Sequence, residues 1–412
     1  MIDYHLLLSV LIGVSILIIL ILKFKIQPFL GLLISSILVG ILAGVPPLEI
    51  MNTVKEGMGS TLGFVAVVVG LGAMFGAILE HSGGAEALAQ YLLKAFGEKN
   101  ASWALMITGF FIAIPVFFDV AFIILIPLVY SLQRKTKKSM LLYAIPLLAG
   151  LAITHAFIPP TPGPVAVADI LNADLGWVIL VGFIVGIPTA IVSGPIFGKF
   201  IASKIFIAAP KKIDEKVVDN FPPISLILSI IATPILLIVL NTLLNSPLGS
   251  SLNLSDKTIT WLQMIGHPFS ALIIANLMAW YLLGIRRGVS KAILSKITSA
   301  SLAPAGIIIL LTGAGGVFKQ MLITTGTGEM LANYFSSIGL SVLLFSFLAA
   351  VCVRILQGSS TVAMITAAGI TSSLITTPLG EFHTALIVIS IAAGASILSH
   401  VNDSGFWLVS NY

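Results

Sequence analysis

Runs of about 20 apolar residues, the length at which a helix crosses a bilayer, recur along the whole chain. They constrain the fold because hydrocarbon offers the backbone no hydrogen-bond partners, so a spanning segment must pair its own N–H and C=O groups as a helix. Of the 412 residues, 58% are hydrophobic and only 9% are charged. Soluble domains carry about 25% charged residues, and so little charge cannot cover a soluble globule. The sequence therefore predicts an all-α polytopic membrane protein.

The basic residues fall in short clusters between the apolar runs, so the net charge of +5 indicates membrane topology rather than a nucleic-acid partner. The positive-inside rule places all four clusters in the cytoplasm. They are Lys23 with Lys25, 134–138, 199–216 and 286–296. The first apolar run, 5–22, has no basic segment before it and no evident cleavage site, so we expect a true first helix rather than a signal peptide. Further spans are predicted at about 27–44, 62–79, 140–158, 177–198, 224–243 and 259–284.

Two segments of the chain resemble each other, which indicates a duplicated unit. They are 70–92, GLGAMFGAILEHSGGAEALAQYL, and 313–335, GAGGVFKQMLITTGTGEMLANYF, offset by 243 positions (318 − 75 = 243). The identical pairs are Phe75/Phe318, Gly83/Gly326, Glu86/Glu329, Leu88/Leu331, Ala89/Ala332 and Tyr91/Tyr334. Counting crossings between the cytoplasmic clusters gives the two copies opposite orientations. We therefore expect an inverted-repeat transporter, in which the substrate lies where the two halves meet.

Broken helices point to the site, because irregular backbone at membrane depth occurs only where protein buries it or where it lines a cavity. In the first half, Pro115 interrupts the apolar stretch 102–131, which forms either two short crossings or a re-entrant hairpin. Just beyond it, Asp119 is a carboxylate within an apolar run and is our first choice for the proton carrier. A structural role as the cap of a half-helix is the alternative.

A second break in the first half is 154–168, THAFIPPTPGPVAVA, whose prolines and glycine predict unwound backbone. We expect Thr154, His155, Thr161 and the exposed backbone around Gly163 to bind a polyhydroxylated ligand. The alternative is an external loop between two helices.

The second half contains two further breaks, and the first begins at Arg354. Gly358 is followed there by the hydroxyl residues Ser359, Ser360 and Thr361, which lead into a new helix. A helix N-terminus offers free N–H groups and a positive dipole end, so we expect it to bind a carboxylate, with Arg354 attracting the anion. An ordinary N-cap, with Arg354 reaching towards the surface, is the alternative.

The other break of the second half is 399–405, SHVNDSG, directly after an apolar span. We expect His400 and Asn402 to contact the substrate, and Asp403 is our second choice for the proton carrier. The alternative is a loop at the membrane surface.

Motifs of phosphate-binding loops, zinc proteases and hydrolytic nucleophiles do not occur in the sequence. The single cysteine, Cys352, also excludes a disulfide framework and a paired-thiolate metal site. We therefore expect no enzyme, no metal and no cofactor besides the coupling proton. An intramembrane enzyme that uses Asp119 and Asp403 as a carboxylate pair, or a channel, is the remote alternative.

Five motifs spread over both halves are specific enough to indicate a family: FFDVAFIILIPLVYSL, PLLAGLAITHAFIPPTPGPVAVADILNADLG, GIPTAIVSGP, QGSSTVAMITAAG and AGASILSHVNDSGFW. With these motifs the chain resembles the gluconate permease (GntP) family of bacterial proton symporters, within the ion-transporter superfamily. The family pattern PPHPGP is PPTPGP in this chain, so Thr161 stands where an imidazole is usual. Family members usually continue through another helix, so the end at Tyr412 is expected to reflect a trimmed chain or a short variant.

The resemblance implies proton-coupled import of gluconate or a related sugar acid across the bacterial cytoplasmic (inner) membrane. It also implies a homodimer with scaffold helices and an elevator-type transport domain. On this basis the scaffold is expected at 1–60 and 223–300, the first repeat half at 61–198, a cytoplasmic linker at 199–222 and the second, inverted half at 301–412. Another small hydroxy-, keto- or amino acid, such as D-serine, is the alternative substrate within the family.

Overall fold

The computed structural model describes residues 4–210, 221–245, 255–327, 341–375, 379–399 and 403–410, and these residues form helices without any strand. The prediction of an all-α membrane protein is confirmed. The helices are α1 (Tyr4–Leu22), α2 (Pro28–Leu42), α3 (Pro47–His81), α4 (Gly84–Phe96), α5 (Ala101–Ile112), α6 (Phe118–Thr136), α7 (Leu141–Phe157), α8 (Pro162–Leu171), α9 (Leu175–Ile191), α10 (Phe197–Ala202), α11 (Ile224–Asn245), α12 (Asp256–Gly266), α13 (Pro268–Ala279), α14 (Lys291–Thr324), α15 (Val342–Gln357), α16 (Ser360–Ser372), α17 (Glu381–Ala395) and α18 (Ser404–Ser410).

Seven stretches in the described part of the chain are long and apolar enough to cross a membrane. They are Tyr4–Ile21, Pro47–His81, Leu141–Leu171, Leu175–Ala202, Ile224–Asn245, Pro268–Arg287 and Lys291–Thr324. Four apolar helices, α2, α15, α16 and α17, are shorter than a full crossing. This mixture fits a multi-pass membrane protein that contains interrupted helices.

Two of the predicted spans differ from the observed helices. The third span begins at Pro47 rather than near residue 62, because proline fits the first helical position and Glu49 in the first turn favours the positive end of the helix dipole. The span predicted at 259–284 is divided at His267, which ends α12 and caps α13 by accepting a hydrogen bond from the Phe269 N–H. The proline after His267 fixes this division, since it cannot continue the preceding helix.

The chain divides into two compact units by its internal packing. The first unit contains Met1–Val69, Pro162–Val178 and Pro304–Asn411, and the second contains Gly70–Thr161 and Ile179–Ala303. Neither unit is one continuous stretch of sequence. The predicted division into scaffold helices, linker and repeat halves stays a prediction.

In the second unit, α5 packs along α7 with their backbones in contact. Glycine on both helices makes this possible. A Cβ on Gly109 would lie 2.6 Å from the carbonyl oxygen of Leu147, and one on Gly150 would lie 2.2 Å from that of Met106. Small residues at such contacts hold membrane helices together, because close packing replaces the hydrophobic driving force that water provides elsewhere.

The first unit contains a helix pair of the same kind, α15 with α17. A Cβ on Gly394 would lie 2.3 Å from the carbonyl oxygen of Phe347. Gly150 and Gly394 both belong to an Ala-Gly step in an apolar helix that precedes a break. The two units therefore use the same packing device, at positions 244 apart (394 − 150 = 244), which is one residue more than the repeat offset.

The two ends of the segment α5–α6 lie next to each other. The ammonium group of Lys135, at the end of α6, forms an ion pair with Glu98, just before α5. Helix α5 has 12 residues, about 18 Å at 1.5 Å per residue, which is well short of a hydrocarbon core of roughly 30 Å. Both predicted forms, two short crossings and a re-entrant hairpin, agree with a helix of this length, so the choice between them stays a prediction.

Two of the predicted cytoplasmic clusters lie together in the second unit. The Arg134 guanidinium donates to the carbonyl oxygen of Pro210 at 2.8 Å, and the Ser139 hydroxyl donates to that of Ile205, also at 2.8 Å. The described part of 199–216 therefore folds back on the basic turn 134–138. This placement agrees with the charge count, which assigned both clusters to the same side.

Candidate functional site

Helix α3 contains the beginning of the first repeat copy, 70–81, and two glycines there lie against both breaks of the second unit. A Cβ on Gly76 would lie 1.9 Å from the carbonyl oxygen of Pro115, and one on Gly72 would lie 3.5 Å from that of Pro160. Only a residue without a Cβ allows the Pro115 carbonyl to approach so closely. The repeat therefore positions the broken segments of this unit.

The break after α7 is shorter than the sequence predicted. Helix α7 ends at Phe157 and α8 begins at Pro162, so the unwound part is only 158–161. Pro162 and Pro164 lie in the first turn of α8. The N–H groups of a first turn have no partner within the helix, so a proline there removes no hydrogen bond. The prolines that predicted unwound backbone as far as residue 168 instead begin a helix, in which Gly163 is buried.

The two predicted breaks of the second unit lie close together. The rings of Phe118, at the start of α6, and His155, near the end of α7, have centroids 6.4 Å apart. Asp119 follows Phe118 and is exposed in the first turn of α6, where the helix dipole favours a negative charge. The predicted proton carrier is thus next in sequence to a residue that contacts a predicted substrate ligand.

Two predicted substrate ligands have buried polar atoms without a hydrogen-bond partner, Oγ1 of Thr154 and Nδ1 of His155. Buried polar groups are nearly always paired, and an unpaired one costs about 1–3 kcal/mol. A substrate hydroxyl would supply the missing partner. Thr161 differs from them, because its hydroxyl donates to the carbonyl oxygen of Ile158 at 2.6 Å and closes the 158–161 turn.

In the first unit, α15 and α16 meet at a short break. Gly358 adopts the left-handed conformation (φ 90°), and its N–H donates to the carbonyl oxygen of Arg354 at 2.9 Å. Ser359 caps α16 by accepting a hydrogen bond from the Val362 N–H at 3.4 Å. The predicted helix start is confirmed at this point. Carboxylate binding stays a prediction for Gly358, Ser359, Ser360 and Thr361.

Arg354 and Asp403 form a buried ion pair that joins the two breaks of the first unit. Nη2 of Arg354 lies 2.5 Å from Oδ2 of Asp403, and Nε donates to the carbonyl oxygen of Ile397 at 3.3 Å. Asp403 also accepts hydrogen bonds from the Ser399 hydroxyl and the Gly405 N–H. Arg354 is only 4% exposed, so its charge is neutralised inside the protein rather than at the surface.

The remaining guanidinium nitrogen of Arg354, Nη1, is buried without a hydrogen-bond partner. Removing one member of a buried ion pair is costly, because the other charge is then left unpaired in a poorly polar interior. Protonation of Asp403 would therefore change the charge balance around Arg354. The two neighbouring predicted ligands, His400 and Asn402, lie outside the described residues.

The sequence reasoning missed two charged residues inside the first unit, Asp169 of α8 and Lys319 of α14. Both are partly buried, and the Lys319 ammonium donates to the carbonyl oxygen of Ile170 at 2.5 Å. The signal that could have found them is an ionisable side chain within an apolar helix, since such residues are rare at membrane depth. They were missed because neither lies at a helix break.

Comparison with known proteins finds permeases that match the chain over its whole length. The family described as GntP family permease matches residues 5–412. A gluconate permease of Pseudomonas aeruginosa is 38% identical over 417 residues, which cover 100% of this chain and 91% of that protein. A low-affinity gluconate transporter of Escherichia coli K12 is 40% identical over 405 residues, which cover 97% of this chain and 90% of that protein. The matched proteins are transporters and not enzymes.

The fold is also similar to that of solved transporters. The crystal structure of the Alcanivorax borkumensis YdaH transporter matches with a TM-score of 0.55 at 13% sequence identity, over 88% of this chain and 81% of that one. Identity this low supports a shared helical architecture and nothing about the substrate.

Proposed function

This chain belongs to the GntP permease family, and we propose that it imports gluconate or a related sugar acid together with protons. The observation that carries the proposal is the 38% and 40% identity to two gluconate transporters over nearly the whole chain. A member of a permease family whose described residues contain seven stretches able to cross a membrane is a multi-pass transporter of the bacterial cytoplasmic membrane. The finer claims, substrate and proton coupling, rest on the arguments that follow.

The proposed substrate is an anion with several hydroxyl groups, and each unit by itself contains groups that suit one of these two features. In the first unit, the N-terminus of α16 and the unpartnered Nη1 of Arg354 would attract a carboxylate. In the second unit, Thr154 and His155 have buried polar atoms available for hydroxyl groups. Because unsatisfied donors and acceptors reject ligands that lack the matching group, these atoms favour a sugar acid over a simple fatty acid.

The coupled proton is proposed to bind a carboxylate, with Asp119 as the first choice and Asp403 as the second. Asp119 is exposed in the first turn of α6 and is not enclosed by packed protein. Asp403 neutralises Arg354, so a proton on Asp403 would leave the guanidinium charge for an incoming anion. Proton and anion would then favour each other's binding, which is the thermodynamic requirement for symport.

The transport cycle is proposed to use an inverted repeat and an elevator-type movement within a homodimer, as the family resemblance implies. The repeat is supported by the shared packing of Gly150 and Gly394 against a partner helix. It is also supported by Phe75 and Phe318, which occupy the same repeat position and are both fully buried. Residues 328–335 of the second copy lie outside the described residues.

Uptake of radiolabelled gluconate into proteoliposomes tests the proposal. With the outside more acidic than the inside, we expect gluconate to accumulate above its equilibrium level and to leave again when a protonophore is added. Uptake that only equilibrates, with or without the pH gradient, would show a channel or uniporter instead. Failure to move any sugar acid would refute the substrate proposal.

The alternative substrate is another small hydroxy-, keto- or amino acid such as D-serine. Competition by a panel of unlabelled acids at two pH values separates these substrates. A sugar acid should compete at the lowest concentration, because it has the most hydroxyl groups to pair with the buried polar atoms.

A further inference from the structure

Helix α8 ends in a way that leaves the carbonyl group of Ile170 for another helix to bind. Asn172 is left-handed (φ 54°), and its N–H donates to the carbonyl oxygen of Asp169 at 3.1 Å, while the Ala173 N–H donates to that of Ala168 at 2.7 Å. These two hydrogen bonds form a Schellman motif. The carbonyl of Ile170 takes no part in the motif, and inside a membrane it requires another donor.

Lys319 supplies this donor from α14, at 2.5 Å from the carbonyl oxygen of Ile170. Gly315, one turn earlier on the same face of α14, brings that helix close to Ile170, because a Cβ at Gly315 would lie 3.4 Å from Ile170 Cδ1. Helix α16 packs against α14 at the same place. A Cβ on Gly369 would lie 3.2 Å from the carbonyl oxygen of Gly315 and 3.9 Å from the backbone nitrogen of Lys319. The ammonium thus lies where three helices meet.

Asp169 places a negative charge near the ammonium without forming a direct ion pair. Within the described ranges, no carboxylate oxygen lies within 4.0 Å of the Lys319 ammonium, although the two charges interact electrostatically. A carboxylate in the last turn of a helix opposes the helix dipole. Its occurrence in α8 is explained if Asp169 serves as the counter-charge of Lys319.

Lys319 occupies the same position of the repeat as Gly76 (319 − 76 = 243). In the first copy, glycine allows the carbonyl of Pro115 to approach α3; in the second copy, a lysine side chain reaches the carbonyl of Ile170. Both positions meet a carbonyl oxygen of another segment, by opposite means. The two copies therefore differ in chemistry at this point.

We propose that Lys319 is a positioning residue that fixes the direction of α8 and thereby the backbone at its first turn, around Gly163. Helix α8 has 10 residues, about 15 Å, and its start packs on α16, where a Cβ on Gly163 would lie 2.9 Å from the Met364 sulfur. A short helix moves as one rigid body. Loss of the hydrogen bond at its C-terminal end would therefore change the orientation of its N-terminal turn. The inference rests on the proposed function, because the sequence predicts that the backbone around Gly163 binds the transported substrate.

Uptake kinetics provide the first test, with Lys296 as the matched control. Lys296 lies on the same helix but is exposed, so K296M should keep the wild-type KM. In K319M we expect the KM for gluconate to rise about tenfold, with a smaller change in maximum rate, because a charged hydrogen bond is lost. K319R should recover most of the affinity, since its guanidinium can also donate to a carbonyl. D169N should have a smaller effect than K319M, because the hydrogen bond to Ile170 is retained.

Hydrogen-exchange mass spectrometry of the substrate-free protein provides the second test and needs no gluconate. We expect peptides that cover 162–173 to exchange faster in K319M than in K296M, with no difference in α5. Equal KM values in K319M and K296M, or equal exchange in 162–173, would overturn the proposal. If K319M does not fold, K319Q carries the same comparison, since it also removes the ammonium group. If the wild-type protein moves no gluconate, the substrate proposal fails while the exchange result still decides the role of Lys319.

Discussion

Replacement of Gly76 by alanine should deform the break between α5 and α6, and Gly72 provides a matched control in the same helix. A Cβ at Gly76 would lie 1.9 Å from the carbonyl oxygen of Pro115, whereas real Cβ contacts below 3.0 Å are essentially never seen. The carbonyl or the helix must therefore move by at least 1.1 Å (3.0 − 1.9 = 1.1). At Gly72 the corresponding distance, to the carbonyl oxygen of Pro160, is an ordinary contact of 3.5 Å.

The comparison of G76A with G72A isolates the energetic cost of this clash. Both substitutions gain the same helix propensity, about 0.8–1 kcal/mol, so this gain cancels between them. Forcing an extra methyl group into a packed interior costs about 1–3 kcal/mol, and a backbone oxygen cannot rotate away as a side chain can. We therefore expect G76A to be less stable than G72A by about 2–3 kcal/mol, and G72A to be at least as stable as the wild type.

Thermal unfolding of the detergent-solubilised variants, followed by intrinsic fluorescence, measures this difference. We expect the lowest midpoint for G76A, and we also expect this variant to lose gluconate uptake, because the displaced segment leads directly into Asp119. G72A should keep both properties. If the two variants unfold at the same temperature and transport alike, the close approach of Pro115 to α3 is refuted, and with it the role given to the repeat.

Three further predictions concern the proton carriers, the ion pair and the helix pairs. Asp119→Asn should abolish the acid stimulation of uptake, and stimulation that persists unchanged in this variant would remove Asp119 from the mechanism. Arg354→Met and Asp403→Leu should each lower the free energy of unfolding, measured by chemical denaturation, by about 3–5 kcal/mol. The double variant should lose less stability than either single variant, because no charge is then left unpaired. Gly150→Ala and Gly394→Ala should lower the unfolding midpoint by similar amounts, since each Cβ would lie 2.2–2.3 Å from a carbonyl oxygen; a large effect of only one would argue against a shared packing device.

The positions of the helix breaks could be predicted from the sequence because the residues at the breaks act on their own backbone. Pro115 removes an N–H donor, Gly358 permits the left-handed conformation, and Ser359 caps the helix that follows. The same local chemistry also explains why the unwound segment predicted at 154–168 is shorter in the structure. Pro162 and Pro164 do not unwind the chain, because in the first turn of a helix proline loses no hydrogen bond.

The partners of the polar groups could not be predicted in this way. Asp403 binds Arg354 across 49 positions of sequence, and Lys319 binds the carbonyl of Ile170 across 149. Both pairings depend on which helix faces meet.

The sequence by itself determined that this is a polytopic helical membrane protein of a permease family, with interruptions at particular residues. The helices follow from the hydrocarbon environment, in which the backbone must pair its own polar groups. The interruptions follow from proline, glycine and serine, which act on their own backbone, so neither the helices nor the interruptions depend on tertiary contacts. Only the tertiary structure decided which charges and carbonyl groups become partners, as for Lys319 with Ile170. The physical reason is that helices apolar on all sides carry no periodic signal of the face that will be buried against a neighbour.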